Sequence, residues 1–138
     1  MAEEVMSACF EAGLLPWRAA GASAHHTLVG AHQTTPQGAL IDPPGWHLFG
    51  DEQARVHACV EADRPLGMGL TEAMVRFAAR HEQAWTVEDM QARRWRALFL
   101  DSQQAKAMAP TVAAILQEET GLDPQLATFE ALWLLPVL

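Results

Sequence analysis

The six histidines are the first side chains in this 138-residue chain that could do chemistry. Imidazole binds metals and moves protons near neutral pH. His25 and His26 are adjacent, and His32 follows shortly after. Neighbouring side chains on an extended segment point to opposite faces, so the pair does not suit a single ion. His81-Glu82 is followed by Gln83-Ala84-Trp85, which rules out the H-E-x-x-H spacing of a helical zinc site. A small metal-dependent enzyme is therefore the weakest reading. Nucleotide chemistry fares no better. Gly67-Met68-Gly69 lacks the third glycine and preceding strand of a dinucleotide-binding turn, and neither a Walker loop nor a G-x-S-x-G elbow occurs.

The charged residues between positions 80 and 101 are more informative. Periodicity makes Thr86 to Leu100, TVEDMQARRWRALFL, a core helix. On such a helix Arg94 shares a face with Val87, Met90 and Leu98. An arginine buried there must find carboxylate or carbonyl partners. Asp89 reaches Arg93 at i+4, and Glu82, Glu88 and Asp101 are further candidates. His81 closes the apolar face Met74, Phe77, Ala78 and is expected in the core, bonded to a neighbour or touching an adjoining domain. The candidate set for an ion-pair network or interdomain contact is His81, Glu82, Glu88, Asp89, Arg93, Arg94 and Asp101. Trp85 and Trp95 are expected to pack in the core. No residue stands out as catalytic, as a cofactor ligand or as a metal ligand.

These residues need helices to position them. Ala2 to Ala12 reads as a helix ended by Gly13. Leu14 to Trp46 reads as an irregular connector, with one short extended piece at Thr27-Leu28-Val29. A helix from Gly50-Asp51 to Ala62 turns Val56, Cys59 and Val60 inward, and a loop follows at Leu66 to Gly69. Thr71 caps the next helix, Thr86 the one after with Asp89 completing a capping box, and Asp101 another. Pro110 interrupts that last one and is placed in the first turn of its successor. Gly121 ends it, and Asp123-Pro124 opens a final helix bearing Leu126, Phe129, Leu132 and Trp133. The fold class is all-α, an orthogonal bundle of about six short helices with an irregular N-terminal connector. Residues 1–48 form the N-terminal helix and connector, and 49–138 the helical domain.

Composition narrows the partners. Half the residues are hydrophobic, enough for a core without cross-links, and Cys9 and Cys59 read as reduced, buried thiols of a cytosolic protein. Nine basic against seventeen acidic residues give a net charge of -8, with a single lysine, Lys106. That excludes a phosphate-binding surface and with it a nucleic-acid partner. No run approaches the ~18 apolar residues of a membrane span. Met1-Ala2-Glu3-Glu4 is acidic where a secretory leader would be basic.

The run from Arg80 to Pro110 carries a resemblance. Arg80-His81-Glu82, Thr86-Val87-Glu88-Asp89, Ala92-Arg93-Arg94, Leu98-Phe99-Leu100-Asp101 and Ala109-Pro110 are similar to the pattern of the C-terminal domain of FAD-dependent glycerol-3-phosphate dehydrogenases and alpha-glycerophosphate oxidases. Thr27 to Ala31 and Trp46 to Gly50 resemble that family more loosely, at the exit from its flavoprotein body and the entry to its helical part. Trp95 departs from the pattern, and Pro36 to Pro44 has no counterpart in it.

The resemblance implies a helical cap domain beside a larger N-terminal body. That body holds FAD and oxidises sn-glycerol 3-phosphate to dihydroxyacetone phosphate, passing electrons to quinone or oxygen. It implies no catalytic residue, flavin ligand or other cofactor in this chain. The implied partner is the body of the same parent chain, with a homo-oligomer also allowed. The implied location is the cytoplasm, with the parent peripheral on the inner face of the membrane. Ala2-Glu3-Glu4 then reads as sequence continuing from a preceding domain. The rival reading is a free-standing helical module that binds a protein or peptide.

Overall fold

The computed structural model describes residues 2–18, 25–31, 44–61 and 63–132. His32, residues 36–43 of the proline-rich loop, Ala62 and Trp133 lie outside them. The described chain is helical apart from one two-stranded sheet, which places it in the all-α class. In order it forms α1 (Ala2–Glu11), a 3₁₀ segment (Trp46–Glu52), α2 (Gln53–His57), β1 (Pro65–Gly67), β2 (Leu70–Thr71), α3 (Glu72–His81), a π-turn (Asp89–Arg94), α4 (Ala97–Leu100), α5 (Ser102–Thr120) and α6 (Leu126–Ala131).

The centre of the domain is α3, on which every residue from Glu72 to Ala79 is buried. A helix buried on all sides must be enclosed by neighbours. α5 packs most extensively against it, and α2, β2 and the π-turn also touch it. α5 presents Ala105, Met108, Ala109, Val112, Ala113, Ile115 and Leu116, the spacing of one helical face. A smaller cluster of Val87, Ala109, Ala113 and Phe129, flanked by Leu98 and Leu126, ties α6 to the other side of α5.

Several expected boundaries move. Pro110 does not divide α5, which runs unbroken through it from Ser102 to Thr120. Proline inside a helix costs about 3 kcal/mol through its missing N–H. Here the ring is exposed, and buried residues on both sides of it hold the helix against the core. α6 starts at Leu126 and not at Pro124. The Asp123 carboxylate accepts from the Gln125 N–H at 2.9 Å, and the Pro124 carbonyl accepts from the Val87 N–H at 2.9 Å. Val60 is 64% exposed and does not face inward. Residues 27–29 form no strand. The Thr71 hydroxyl makes no capping bond and is buried without a partner. α1 contributes no buried residue.

Leu66 to Gly69, expected as a loop, is instead a hairpin in which β1 pairs antiparallel with β2. Gly69 has a φ of +74°, and a Cβ there would stand 2.0 Å from the Pro44 carbonyl oxygen. A Cβ on Gly67 would stand 2.8 Å from the Met108 sulfur. Both glycines are therefore packing glycines, which let the hairpin close on the 44–45 backbone and on α5.

Candidate functional site

The site is built on the segment between α3 and α4. Thr86 and Asp89 form the expected capping box. The Thr86 N–H donates to the Asp89 carboxylate at 3.0 Å, and the Asp89 N–H donates to the Thr86 hydroxyl at 3.0 Å. The Trp85 N–H adds a third bond to the same carboxylate at 3.2 Å. Burial pushes the Asp89 carboxyl up, but these bonds and Arg93 outweigh it and hold the group below its ordinary value.

The helix that starts here does not keep the α-helical register. The Trp95 N–H donates to the Met90 carbonyl at 2.8 Å, an i to i−5 bond that inserts one residue into the turn. Arg96 follows at φ +59°, outside helical geometry, and α4 begins after it. This overturns the single helix expected over 86–100, and with it the burial of Arg94. In an unbroken α-helix Arg94 would fall on the face of Val87 and Met90. The extra residue brings Trp95 to that position, 4% exposed, and turns Arg94 outward at 46%. The register yields because burying an indole is favourable and burying a guanidinium is costly. The Trp95 indole N–H finds its acceptor in the Met68 carbonyl at 2.9 Å.

The assigned polar residues now fall into distinct groups. Arg93 pairs with Glu88 at 2.7 Å and with Asp89. Arg94 donates to the Glu82 main-chain carbonyl, and its Nε lies 4.0 Å from the Glu82 carboxylate. Asp101 is not in this network; its carboxylate caps α5 by accepting from the Gln104 N–H at 3.0 Å. His81 is exposed, correcting its assignment to the core. It lies in the last turn of α3, its ring 4.8 Å from that of Phe77 and its Nδ1 3.4 Å from the Arg55 guanidinium. Trp85 is likewise 49% exposed and not a core residue. Cys9 and Cys59 are free thiols, each only partly buried.

Glu82, Arg93 and Arg94 meet Glu52 around a cleft of about 280 Å3. Met74, Ala78, Met90 and Trp95 lie behind this polar rim, each almost wholly buried, and Val29, Gly30, Leu48 and Phe49 complete the wall. Gly30 is brought there by its carbonyl, which accepts from the Asp51 N–H at 3.4 Å. Glu52 pairs with Arg55, whose guanidinium also sits 5.4 Å from the Phe77 ring centre. The Glu82 carboxyl is pushed up by burial, opposed by Arg94 and reinforced by Glu52.

The buried ion pair lies elsewhere, on α3. Arg76, on α3, reaches Glu72 at 2.6 Å, Glu118 at 2.8 Å and Glu119 at 2.5 Å. Arg80 joins Glu119 at 2.6 Å, and Arg64 reaches Glu72 at 2.7 Å. The Glu118 bond leads in raising Arg76 above its ordinary value, against burial. The Arg80 bond leads in lowering Glu119. Glu118 and Glu119 sit in the last turn of α5, where the helix dipole disfavours negative charge, and the two arginines of α3 offset that. The signal available in the sequence was the Glu72-Arg76-Arg80 spacing of i, i+4, i+8. Tertiary contact with Glu118 and Glu119 is what gives that spacing its weight.

Among the described residues, no group of three His, Cys, Asp or Glu side chains could hold a metal ion, and no helix is long and apolar enough to cross a membrane. Fold and cleft together define a small all-helical domain whose polar residues sit at the seam between α3 and the π-turn. A sequence model of the C-terminal domain of alpha-glycerophosphate oxidase matches residues 46–127, well over half the chain. The chain belongs to that family. No curated protein and no solved structure matches it.

Proposed function

We propose that this chain is the non-catalytic C-terminal helical domain of an FAD-dependent enzyme that oxidises sn-glycerol 3-phosphate to dihydroxyacetone phosphate. Its task is to dock on the flavoprotein body of the parent chain. FAD and the electron acceptor belong to that body, at the cytoplasmic face of the membrane. The observation that carries the reading is the family match over residues 46–127. We assign the docking surface to the cleft, where Glu82, Arg93 and Arg94 stand beside the exposed Val29 and Leu48. Charged groups interleaved with exposed apolar side chains are usual at the rim of a protein contact.

Amide hydrogen exchange of the parent protein against this chain alone tests the proposal. Residues 82 and 89–96 should exchange more slowly in the parent. Equal exchange in both would remove the cleft as the docking surface. A gene with no flavoprotein region in frame upstream would replace the reading with that of a free-standing binding module.

A further inference from the structure

α1 is a well-encoded helix that packs on no core. Its sequence supplies both ends. Glu3 and Glu4 stand in the first turn, where the helix dipole favours negative charge. Gly13, at φ +68°, stops it, and the Leu14 N–H donates to the Cys9 carbonyl at 3.0 Å across the stop. Val5, Met6, Cys9 and Phe10 recur at the spacing of one helical face, and Glu4, Ser7 and Glu11 lie on the other. An apolar stripe of this kind belongs against a core. Yet no residue of α1 is buried, Val5 and Met6 are exposed, and neither apolar cluster of the described residues includes one of its side chains. The exposed apolar surface continues past the helix in Leu14, Leu15 and Trp17. A helix of 10 residues is too short to hold its shape in water without such packing.

We infer that α1 is an element of the flavoprotein body and not of the helical domain, with its face of Val5, Met6, Cys9 and Phe10 packed into the apolar interior of that body. This rests on the docking reading and names a second contact between the same partners. Three observations select this occupant. The match to a C-terminal domain begins at residue 46, so α1 lies on the side of that domain where the rest of the parent chain is placed. The sequence between them carries Gly21, Gly38 and Pro43-Pro44-Gly45, the composition of a domain boundary. A second copy of the chain is a poor occupant, because α1 bears Glu3, Glu4 and Glu11 with no basic residue, and pairing two such helices brings like charges together.

The test compares the 138-residue chain with its parent. Deleting residues 1–18 from the chain should leave its urea midpoint unchanged, because the helical domain loses nothing it packs against. In hydrogen exchange, the amides of residues 6–11 should exchange in the chain nearly as fast as in an unstructured peptide and become protected in the parent. Phe10→Ala, with the milder Met6→Ala beside it in case the first does not fold, should lower the Tm of the parent and leave the urea midpoint of the chain in place. Ser7→Ala, on the other face, should leave both unchanged. A midpoint lowered by the deletion would assign α1 to the helical domain. Protection that rises with the concentration of the isolated chain would assign it to a second copy. A parent indifferent to Phe10→Ala and Met6→Ala, or equally sensitive to Ser7→Ala, would leave the apolar face without a role there. Each of these results overturns the inference. Residues 82 and 89–96 report on docking in the same exchange experiment, so α1 can fail while docking holds, and the reverse.

Discussion

The indole N–H of Trp95 donates to the main-chain carbonyl of Met68 at 2.9 Å, joining the π-turn to the tip of the β1–β2 hairpin. Two irregular pieces of backbone thereby fix one another. The inserted residue of the π-turn aims the indole, and the glycines on either side of Met68 seat the hairpin against Met108 and the Pro44 carbonyl. The cleft depends on this bond, because the buried Trp95 backs its wall.

Replacing Trp95 with phenylalanine keeps an aromatic ring and removes the donor. An acceptor left unpaired inside a protein costs about 1–3 kcal/mol. Urea unfolding of Trp95→Phe should show a loss of that size. Unchanged stability would mean that water reaches the Met68 carbonyl and that the bond does not hold the hairpin.

Arg76 and Arg94 should behave in opposite ways. Arg76 is the buried cation shared by Glu72, Glu118 and Glu119, so Arg76→Ala leaves Glu72 to Arg64 and Glu119 to Arg80 alone and should cost about 1.5–3 kcal/mol. Arg94 is half exposed and bonds a single carbonyl, so Arg94→Ala should cost less than about 1 kcal/mol in the isolated chain. Equal losses in the two variants would contradict the placement of the buried charge on α3.

Gly69→Ala tests the close approach of the hairpin to Pro44. The substitution adds a Cβ 2.0 Å from a carbonyl oxygen, at a φ of +74° that disfavours side chains. Backbone strain of this kind costs about 1–3 kcal/mol before the clash is counted. Calorimetry should show a clearly lower Tm. A wild-type melting curve would mean that the 44–45 backbone moves away at little cost.

Acid should weaken the domain through Glu119 and Asp89. Both carboxyls are held below their ordinary values in the folded chain, so the unfolded chain takes up those protons first as pH falls. Their stabilisation is complete above the ordinary carboxyl range and disappears as pH drops through the lower folded values. Glu82 has the opposite sign, since its folded value is raised. Its carboxylate disfavours the fold at neutral pH, and protonation removes that penalty. Urea midpoints measured from neutral to acid pH should therefore fall for the wild type and fall less steeply for Glu119→Gln. Identical slopes would remove Glu119 from the linkage.

Much of the domain was legible in its sequence because it rests on local physics. The Thr86–Asp89 capping box, the Asp101 cap and the stop at Gly121 each concern groups within a few residues of one another. The run from Arg80 to Pro110 was enough to indicate the family. Tertiary structure decided which charge is buried and where the helices break. Arg94 and Trp95 are neighbours, and the sequence pattern put both inside; the gain from burying the indole against α3 and the hairpin inserted one residue, kept Trp95 in the core and turned Arg94 outward. Arg76 gained its role from Glu118 and Glu119, over forty residues away, and Pro110 stays in a continuous helix because the core grips both sides of it. Glu82 shares a cleft with Glu52, Arg93 and Arg94 only because the 3₁₀ segment, α3 and the π-turn pack together, a juxtaposition of distant segments that no local pattern encodes.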